Sequence, residues 1–443
     1  MESSKNIIIG AGISGLSCGW ALKDCLVLEK DFFIGGLCKT VDFGGYRFDL
    51  GGHRFFTKNK LTEDFVRSIL SDELLEVRRI SRIYKDRRLI DYPLKASVIF
   101  CLNPLDVLGC FFSYILRKLI PLPETSFEEA AKNRFGDRLY GLFFKAYTRK
   151  VWGLSCRELS EELVRTRMQD VSLRRVVVHA VLSNHKAIKS FTDIFLYPER
   201  GIGALPERLS EGLDIRTNSK VTGFIRSDDK IDKVIINGSQ ELEAESVVST
   251  MPITNLVRLL DPPEEIQRAS DSLKYRSLIC VFLTLNKNSY TDNHWVYFPD
   301  NQIFGRLHEP KNWSLYMAPK ERTGICVEIF CDRQDDIWRM AGAEIAHQVI
   351  RDLPFLEKFE VEDHFVEKVD HAYPVYDINY RSNLVKVKKF LSSYKNLFLL
   401  GRTGAFRYIN MDTCVEQGLR LGNILRERQK ERAKGPKALE TII

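Results

Sequence analysis

Asn6-Ile7-Ile8-Ile9-Gly10-Ala11-Gly12-Ile13-Ser14-Gly15 is the stretch on which the fold turns, and Leu26-Val27-Leu28-Glu29 completes it. Asn6 to Gly10 reads as a buried strand, Gly15 to Leu22 as a helix and Leu26 to Glu29 as a second strand, a compact βαβ unit. Gly10, Gly12 and Gly15 carry the G-x-G-x-x-G spacing, and Glu29 falls nineteen residues after Gly10. In such a unit the first glycine permits a tight turn, the second lets the backbone approach a pyrophosphate, and the third lets the helix pack closely. The helix N-terminus stabilises the phosphate charge, and the acid accepts hydrogen bonds from the adenosine ribose. A lone glycine turn says little. Strand, glycines, helix, strand and acid in register specify a dinucleotide site.

At 443 residues the chain is too long for one core, and with no low-complexity linker the expectation is two interleaved domains. Apolar residues at 44% and charged residues at 28% exclude a fibrous or largely disordered protein. The net charge of +7 suits an anionic ligand, but it is spread along the chain, which argues against nucleic acid. Ten cysteines form no CxxC pair and no zinc-type spacing, so reduced thiols in a cytoplasm, with no metal, are expected. The chain runs from Met1 into a strand without the order of regions a signal peptide needs. Ser97 to Ile120 is apolar but is interrupted by Asn103, Pro104 and Asp106. A buried helix pair is the expectation there, with peripheral membrane contact as the alternative and no integral span.

Thr125 to Ile188 reads as helical, opened by a capping box at Ser126 and Glu129 and with a second helix over Glu158 to Val176. Strand patterns return at Asp214 to Arg226, Lys233 to Ile236 and Glu245 to Thr250. A later group, Leu278 to Asn286, His294 to Phe298 and Gly324 to Cys331, reads as a sheet of its own. Asn396 to Leu400 is a last strand before Gly401, followed by a helix from Thr413 to Arg428 and a charged tail.

Three glycine-bearing stretches separate FAD from NAD: Ile34-Gly35-Gly36-Leu37-Cys38, Asp49-Leu50-Gly51-Gly52-His53, and Gly401-Arg402. Glycine pairs let backbone amides crowd an extended cofactor. With Tyr197-Pro198-Glu199-Arg200-Gly201-Ile202-Gly203 and Val247-Val248-Ser249-Thr250-Met251-Pro252, the chain resembles the large FAD-binding family of amine oxidases, protoporphyrinogen oxidase and UDP-galactopyranose mutase. The resemblance implies an α/β fold, a Rossmann-type FAD-binding domain assembled from residues 1–95, 196–265 and 386–430. A helical insertion over 96–195, a sheet-bearing substrate domain over 266–385 and a tail over 431–443 complete it. It implies FAD contacts at Gly10, Gly12, Ser14, Gly15, Glu29, Gly35, Gly36, Leu37, Gly51, Gly52, His53, Val221, Gly401, Arg402, Asn410 and Met411, with Val221 facing the adenine.

Lys150-Val151-Trp152-Gly153, Arg167, His294-Trp295-Val296-Tyr297-Phe298 with Arg306, and Gly401 to Asp412 are similar to UDP-galactopyranose mutases, especially those of eukaryotic type. That resemblance implies a mutase of a nucleotide-diphosphate sugar, in which reduced FAD attacks the anomeric carbon through N5, UDP leaves, and the ring recloses as a furanose without net redox. NAD(P)H is the reductant it implies. His53, Arg167 and Arg306 are the implied catalytic residues, the arginines because charge grows on the departing diphosphate. Tyr92, Lys95, Arg167, Trp295, Tyr297, Arg306, Tyr373, Arg402, Tyr408 and Asn410 are the implied substrate contacts. The pattern departs from eukaryotic mutases at Lys95, Thr148 and Phe304 to His308, and Asp91-Tyr92-Pro93-Leu94-Lys95, Ser126-Phe127-Glu128-Glu129 and Phe144-Lys145-Ala146-Tyr147 resemble instead a bacterial protoporphyrinogen-oxidase-like subgroup associated with surface-polysaccharide pathways. A different sugar, or an FAD oxidoreductase of the amine oxidase, protoporphyrinogen oxidase or desaturase type, stays open.

Overall fold

Residues 5–94, 98, 102–167, 194–356 and 360–433 are described by a computed structural model. The strand Lys5–Ile9 lies inside a seven-stranded sheet, parallel to Leu26–Leu28 on one side and to Gln240–Ser249 on the other. Asp214–Arg216 and Leu397–Leu399 extend the parallel run at its two ends. Ile7, Ile8 and Ile9 are all buried although successive side chains point to opposite faces, so the strand is covered on both sides, as its unbroken apolar sequence requires. The helix Ile13–Leu22 returns from this strand, and the closing helix Met411–Ala433 packs against it.

The run Asp214 to Arg226, expected as one strand, is two: Asp214–Arg216 and the hairpin strand Val221–Ser227. Asn218 takes φ +51°, and the Ser219 amide bonds Glu29 O at 2.7 Å, which turns the chain under the end of the second strand.

The later strands form their own sheet, in the order Val361–Pro374, Tyr275–Leu285, Thr323–Cys331, Arg306–His308, Trp295–Tyr297, Ser81–Lys85 and Arg88–Asp91. The last two correct the expected boundary at residue 95, because Ser81–Asp91 belongs to this sheet rather than to the cofactor sheet. Ile83 and Ile90 face each other in that hairpin and are buried, and Ser81–Lys85 reaches the sheet by parallel pairing with Trp295–Tyr297.

Between the strands Arg88–Asp91 and Ile194–Pro198 the chain forms the helices Phe127–Phe135, Lys145–Trp152 and Glu162–Arg167 among others, the first packing on the third and the second on the strand Thr323–Cys331. Ser126 accepts from the Glu129 amide at 3.4 Å, and Glu129 answers through Thr125, whose amide and hydroxyl it accepts at 2.8 and 2.6 Å. The helix expected from Glu158 begins only at Glu162. The Ser160 amide is held by Tyr376 O at 2.8 Å and Leu159 bridges Asp377, so this stretch is extended chain. Residues 168–176 of that expected helix lie outside the described residues.

Of the expected buried helix pair over 97–120, the described residues hold one helix, Pro104–Leu119, and its apolar side faces outward rather than inward. Asp106 and Arg117 turn inward to meet Arg138 and Asp137. Among the described residues, no helix is long and apolar enough to cross a membrane.

Candidate functional site

The glycine motif meets its geometric demands. A Cβ on Gly15 would lie 2.0 Å from Gly10 O, so only glycine lets the helix sit this close to the strand end. Glu29 is buried. Its Oε2 accepts from the Ala11 amide at 2.8 Å and its Oε1 from the Asp31 amide at 3.0 Å, which leaves acceptor capacity on both oxygens for ribose hydroxyls. Gly35 bonds Ala11 O at 2.8 Å and pairs with Gly12, so Gly36 and the half-buried Leu37 cross the motif. Ser14 Oγ lies beneath Gly401, and Val221 is buried two residues beyond the Ser219 contact with Glu29. The close backbone approaches at these glycines and the acceptor capacity left on Glu29 fit the pyrophosphate and ribose of an FAD.

Gly51-Gly52-His53 runs under the second sheet. A Cβ on Gly52 would stand 2.1 Å from Trp295 Nε1. The Gly52 amide donates to Glu328 Oε1 at 3.2 Å, and Glu328 is fully buried. Arg306 grips the same carboxylate with both arms of its guanidinium, Nε to Oε1 at 2.7 Å and Nη2 to Oε2. Burial pushes the Glu328 carboxyl up, but Arg306 outweighs it and holds the group down at about 2. Arg306, expected as a cation for a diphosphate, is therefore neutralised from behind, and its remaining bond is to Tyr373 Oη at 3.3 Å.

His53 Nδ1 is shielded and has no hydrogen-bond partner. Burial, reinforced by the positive charge of Arg402, lowers the imidazole from 6.5 to about 3, so the ring is neutral at physiological pH.

The Gly51-Gly52-His53 stretch opens on a cavity of about 360 Å³. It brings together His53, Tyr92, Trp295, Tyr297, Arg306, Tyr373, Arg402, Tyr408, Asn410 and Met411 from distant parts of the sequence. Arg402 donates from Nε to Ile409 O at 3.0 Å and lies over the rings of Tyr373 and Tyr408, at 5.4 and 5.5 Å. Lys95 and the side chain of Arg167 lie outside the described residues.

Two arginines that sequence reasoning passed over also line the cavity, Arg54 and Arg79. Their guanidiniums lie 5.7 and 5.6 Å from the Trp295 ring centroid. Arg79 donates to Ser81 Oγ at 2.8 Å and Tyr297 Oη at 3.5 Å, both neutral acceptors. Arg54 follows His53 directly, so the double-glycine stretch carried a signal for it, whereas Arg79 becomes a cavity residue only through the pairing of Ser81–Lys85 with Trp295–Tyr297.

Residues 13–421 match the model of the flavin-containing amine oxidoreductase family. The chain belongs to that family. Membership implies FAD, in agreement with the fit of the glycine motif.

Family members differ in chemistry, and the solved structures similar to this chain reflect it. A reduced UDP-galactopyranose mutase superimposes with TM-score 0.83 over 96% of each chain at 22% identity. A putative protoporphyrinogen oxidase from Exiguobacterium sp. 255-15 does so with TM-score 0.75 over 97% of this chain and 100% of its own, at 17% identity. A putrescine oxidase bound to putrescine gives 0.64 over 96% and 99%, at 15% identity. At these identities the likeness is one of fold. A 1-hydroxycarotenoid 3,4-desaturase of Flavobacterium sp. (strain P99-3) is 41% identical over 63 residues, 13% of either chain.

Two outcomes follow from the site's electrostatics. Removing Arg306 alone leaves a buried, uncompensated carboxylate, so R306M is expected to lose about 3–5 kcal/mol of stability. The double variant R306M/E328L recovers most of it, because the charge goes with its partner; urea unfolding measures both. His53 takes up a proton in the unfolded chain below pH 6.5 but in the folded chain only near pH 3. Its contribution is complete above pH 6.5 and is lost as pH falls through that window. H53Q is expected to flatten the fall in unfolding free energy between pH 6 and pH 4 by less than about 1.4 kcal/mol per pH unit, since the ring is only partly buried.

Proposed function

We propose that this chain is a flavin-dependent mutase of a nucleotide-diphosphate sugar, of the UDP-galactopyranose to galactofuranose type, acting without net redox. The observation that carries the reading is the wall of the cavity. Arg54, Arg79, Arg306 and Arg402 face it together with the tyrosines 92, 147, 297, 373 and 408, and no carboxylate lines it among the described residues. Such a wall suits a polyanion rich in acceptor oxygens and repels an ammonium substrate.

In this reading Arg54 and Arg79, both close to the Trp295 ring, take the diphosphate, and their charge stabilises it as the glycosidic bond breaks. The phenols donate to phosphoryl oxygens and fix the orientation of the sugar. Trp295 offers an aromatic face beside the sugar, and the cavity keeps water from the open ring. Reduced flavin supplies the nucleophilic nitrogen; NAD(P)H is the donor we propose for it. Neutral His53 borders the flavin edge and leaves the positive charge to the arginines.

An FAD oxidoreductase acting on an anionic substrate is the second reading, favoured by the likeness to a putative protoporphyrinogen oxidase. Incubation with UDP-galactose, oxidised and after dithionite reduction, separates the two. The mutase gives a product of equal mass only in the reduced sample. Turnover that needs oxidised flavin and consumes an acceptor sinks it. In R54A and in R79A, UDP affinity is expected to fall about ten- to a hundredfold, the loss of one charged hydrogen-bond partner; unchanged affinity in both removes the assignment of these residues.

A further inference from the structure

The helix Pro104–Leu119 is inside out. A helix on the surface of a globular protein turns its apolar stripe to the core and its charges to water. Here Asp106 is buried and bonded by Arg138 Nε at 2.6 Å, and Arg117 reaches back to Asp137 at 2.6 and 3.2 Å. Lys118 donates to Asn133 O at 3.0 Å. Those contacts, with Ser113 and Tyr114 against Gly136, seat the inner face on the helix Phe127–Phe135 and the turn after it.

The outer face carries Leu105, Leu108, Phe112, Ile115 and Leu119, exposed by 81, 53, 64, 38 and 74%. Their spacing of three, four, three and four residues makes a single stripe down the helix, and no charged residue interrupts it. Asn103 caps the start by accepting from the Asp106 amide at 2.8 Å, so the helix is fixed in length rather than frayed. A contiguous apolar ridge of this kind marks a surface that meets something else.

We propose that this ridge docks into the interfacial layer of an anionic lipid bilayer, with the helix lying in the membrane plane. Sixteen residues make a helix about 24 Å long, and no described helix is long and apolar enough to cross a bilayer, so it lies along the surface. A second copy of the chain fits less well. One helix face of roughly 24 by 12 Å offers on the order of 300 Å² per partner, against about 800 Å² per partner in a stable interface. A bilayer accepts a convex ridge without a matching groove.

Charge points the same way. The helix's one acid is turned inward and bonded, Arg117 is paired with Asp137, and the exposed Lys118 is the cation left in the last turn, on a chain at +7. Lys118 is exposed even with its Nζ on Asn133 O, and it lies 5.3 Å from the Tyr114 ring, so its charge stays open to headgroups.

The test uses the full-length flavoprotein with vesicles of phosphatidylcholine alone and of phosphatidylcholine mixed with phosphatidylglycerol. The parent is expected to sediment with the anionic vesicles, less so in high salt and less with the neutral ones. L108S/F112S, which changes only exposed side chains, is expected to keep the parent's flavin spectrum and thermal midpoint while its vesicle partitioning falls about tenfold or more. If the parent stays in the supernatant with anionic vesicles, or the variant sediments as the parent does, the proposal is overturned. It is overturned as well if light scattering without lipid finds a dimer that this variant breaks, because the ridge then belongs to a second copy.

Discussion

A single buried carboxylate holds the two halves of the molecule in register. Glu328 lies on the inner strand Thr323–Cys331 of the second sheet, and it accepts at once from Arg306 on the neighbouring strand and from the Gly52 amide on the loop that carries His53. His308 Nδ1 lies 3.5 Å from the same Oε1. A fully buried charge is tolerated only when its partners are all in place. The position of the Gly52 loop, and with it of His53 and Arg54, is thus coupled to the strand that bears Arg306. If either sheet moved, the carboxylate would be left short of a donor, a cost that keeps the cofactor loop and substrate sheet together.

A second clamp fixes the cavity from the helical side. Lys150 donates its Nζ to the carbonyls of Phe298, Gln302 and Phe304 at 2.8, 2.9 and 3.1 Å, and also to that of Asp300. Burial lowers this amine to about 8, yet four carbonyl dipoles favour its charged form. The loop between Trp295–Tyr297 and Arg306–His308 is gathered around one ammonium, which sets the spacing of Tyr297 and Arg306 on the cavity wall. The conspicuous Lys150-Val151-Trp152-Gly153 stretch is in this respect a framework element: Lys150 faces away from the ligand, while Trp152 packs edge-on against Tyr373 and Tyr408.

The legible part of the fold was the part decided locally. Gly10, Gly12, Gly15 and Glu29 act within thirty residues of chain, so their spacing carries the whole constraint. The later strands were visible for the same reason, as apolar runs. Arg79 was not, because nothing near it in sequence distinguishes it from Arg78; its place comes from a parallel pairing with a strand more than two hundred residues away. Arg306 was visible but incompletely understood, since its carboxylate partner is an isolated acid within the apolar run Ile325-Cys326-Val327-Glu328-Ile329. A lone charge in a strand buried on both faces must have a partner, and that was the available clue. The stretch before Ile120 misled for a related reason: hydropathy reports how apolar a segment is but not which way its face points.

The cationic wall also constrains what His53 can do. Burial first, and then the positive charge of Arg402, oppose protonation of the imidazole, and the Glu328 carboxylate that would favour it is itself paired with Arg306, so the ring is held neutral far below its usual range. It has no proton to give as an imidazolium at physiological pH. A neutral imidazole still has one donor and one acceptor nitrogen, and Nδ1 has no protein partner. The ring can therefore answer a change in hydrogen-bonding need in the cavity it lines without a change of charge. On this cavity wall the positive charge is carried by guanidiniums while the imidazole beside them stays neutral, so charge and neutral hydrogen bonding are divided between different residues of the same wall.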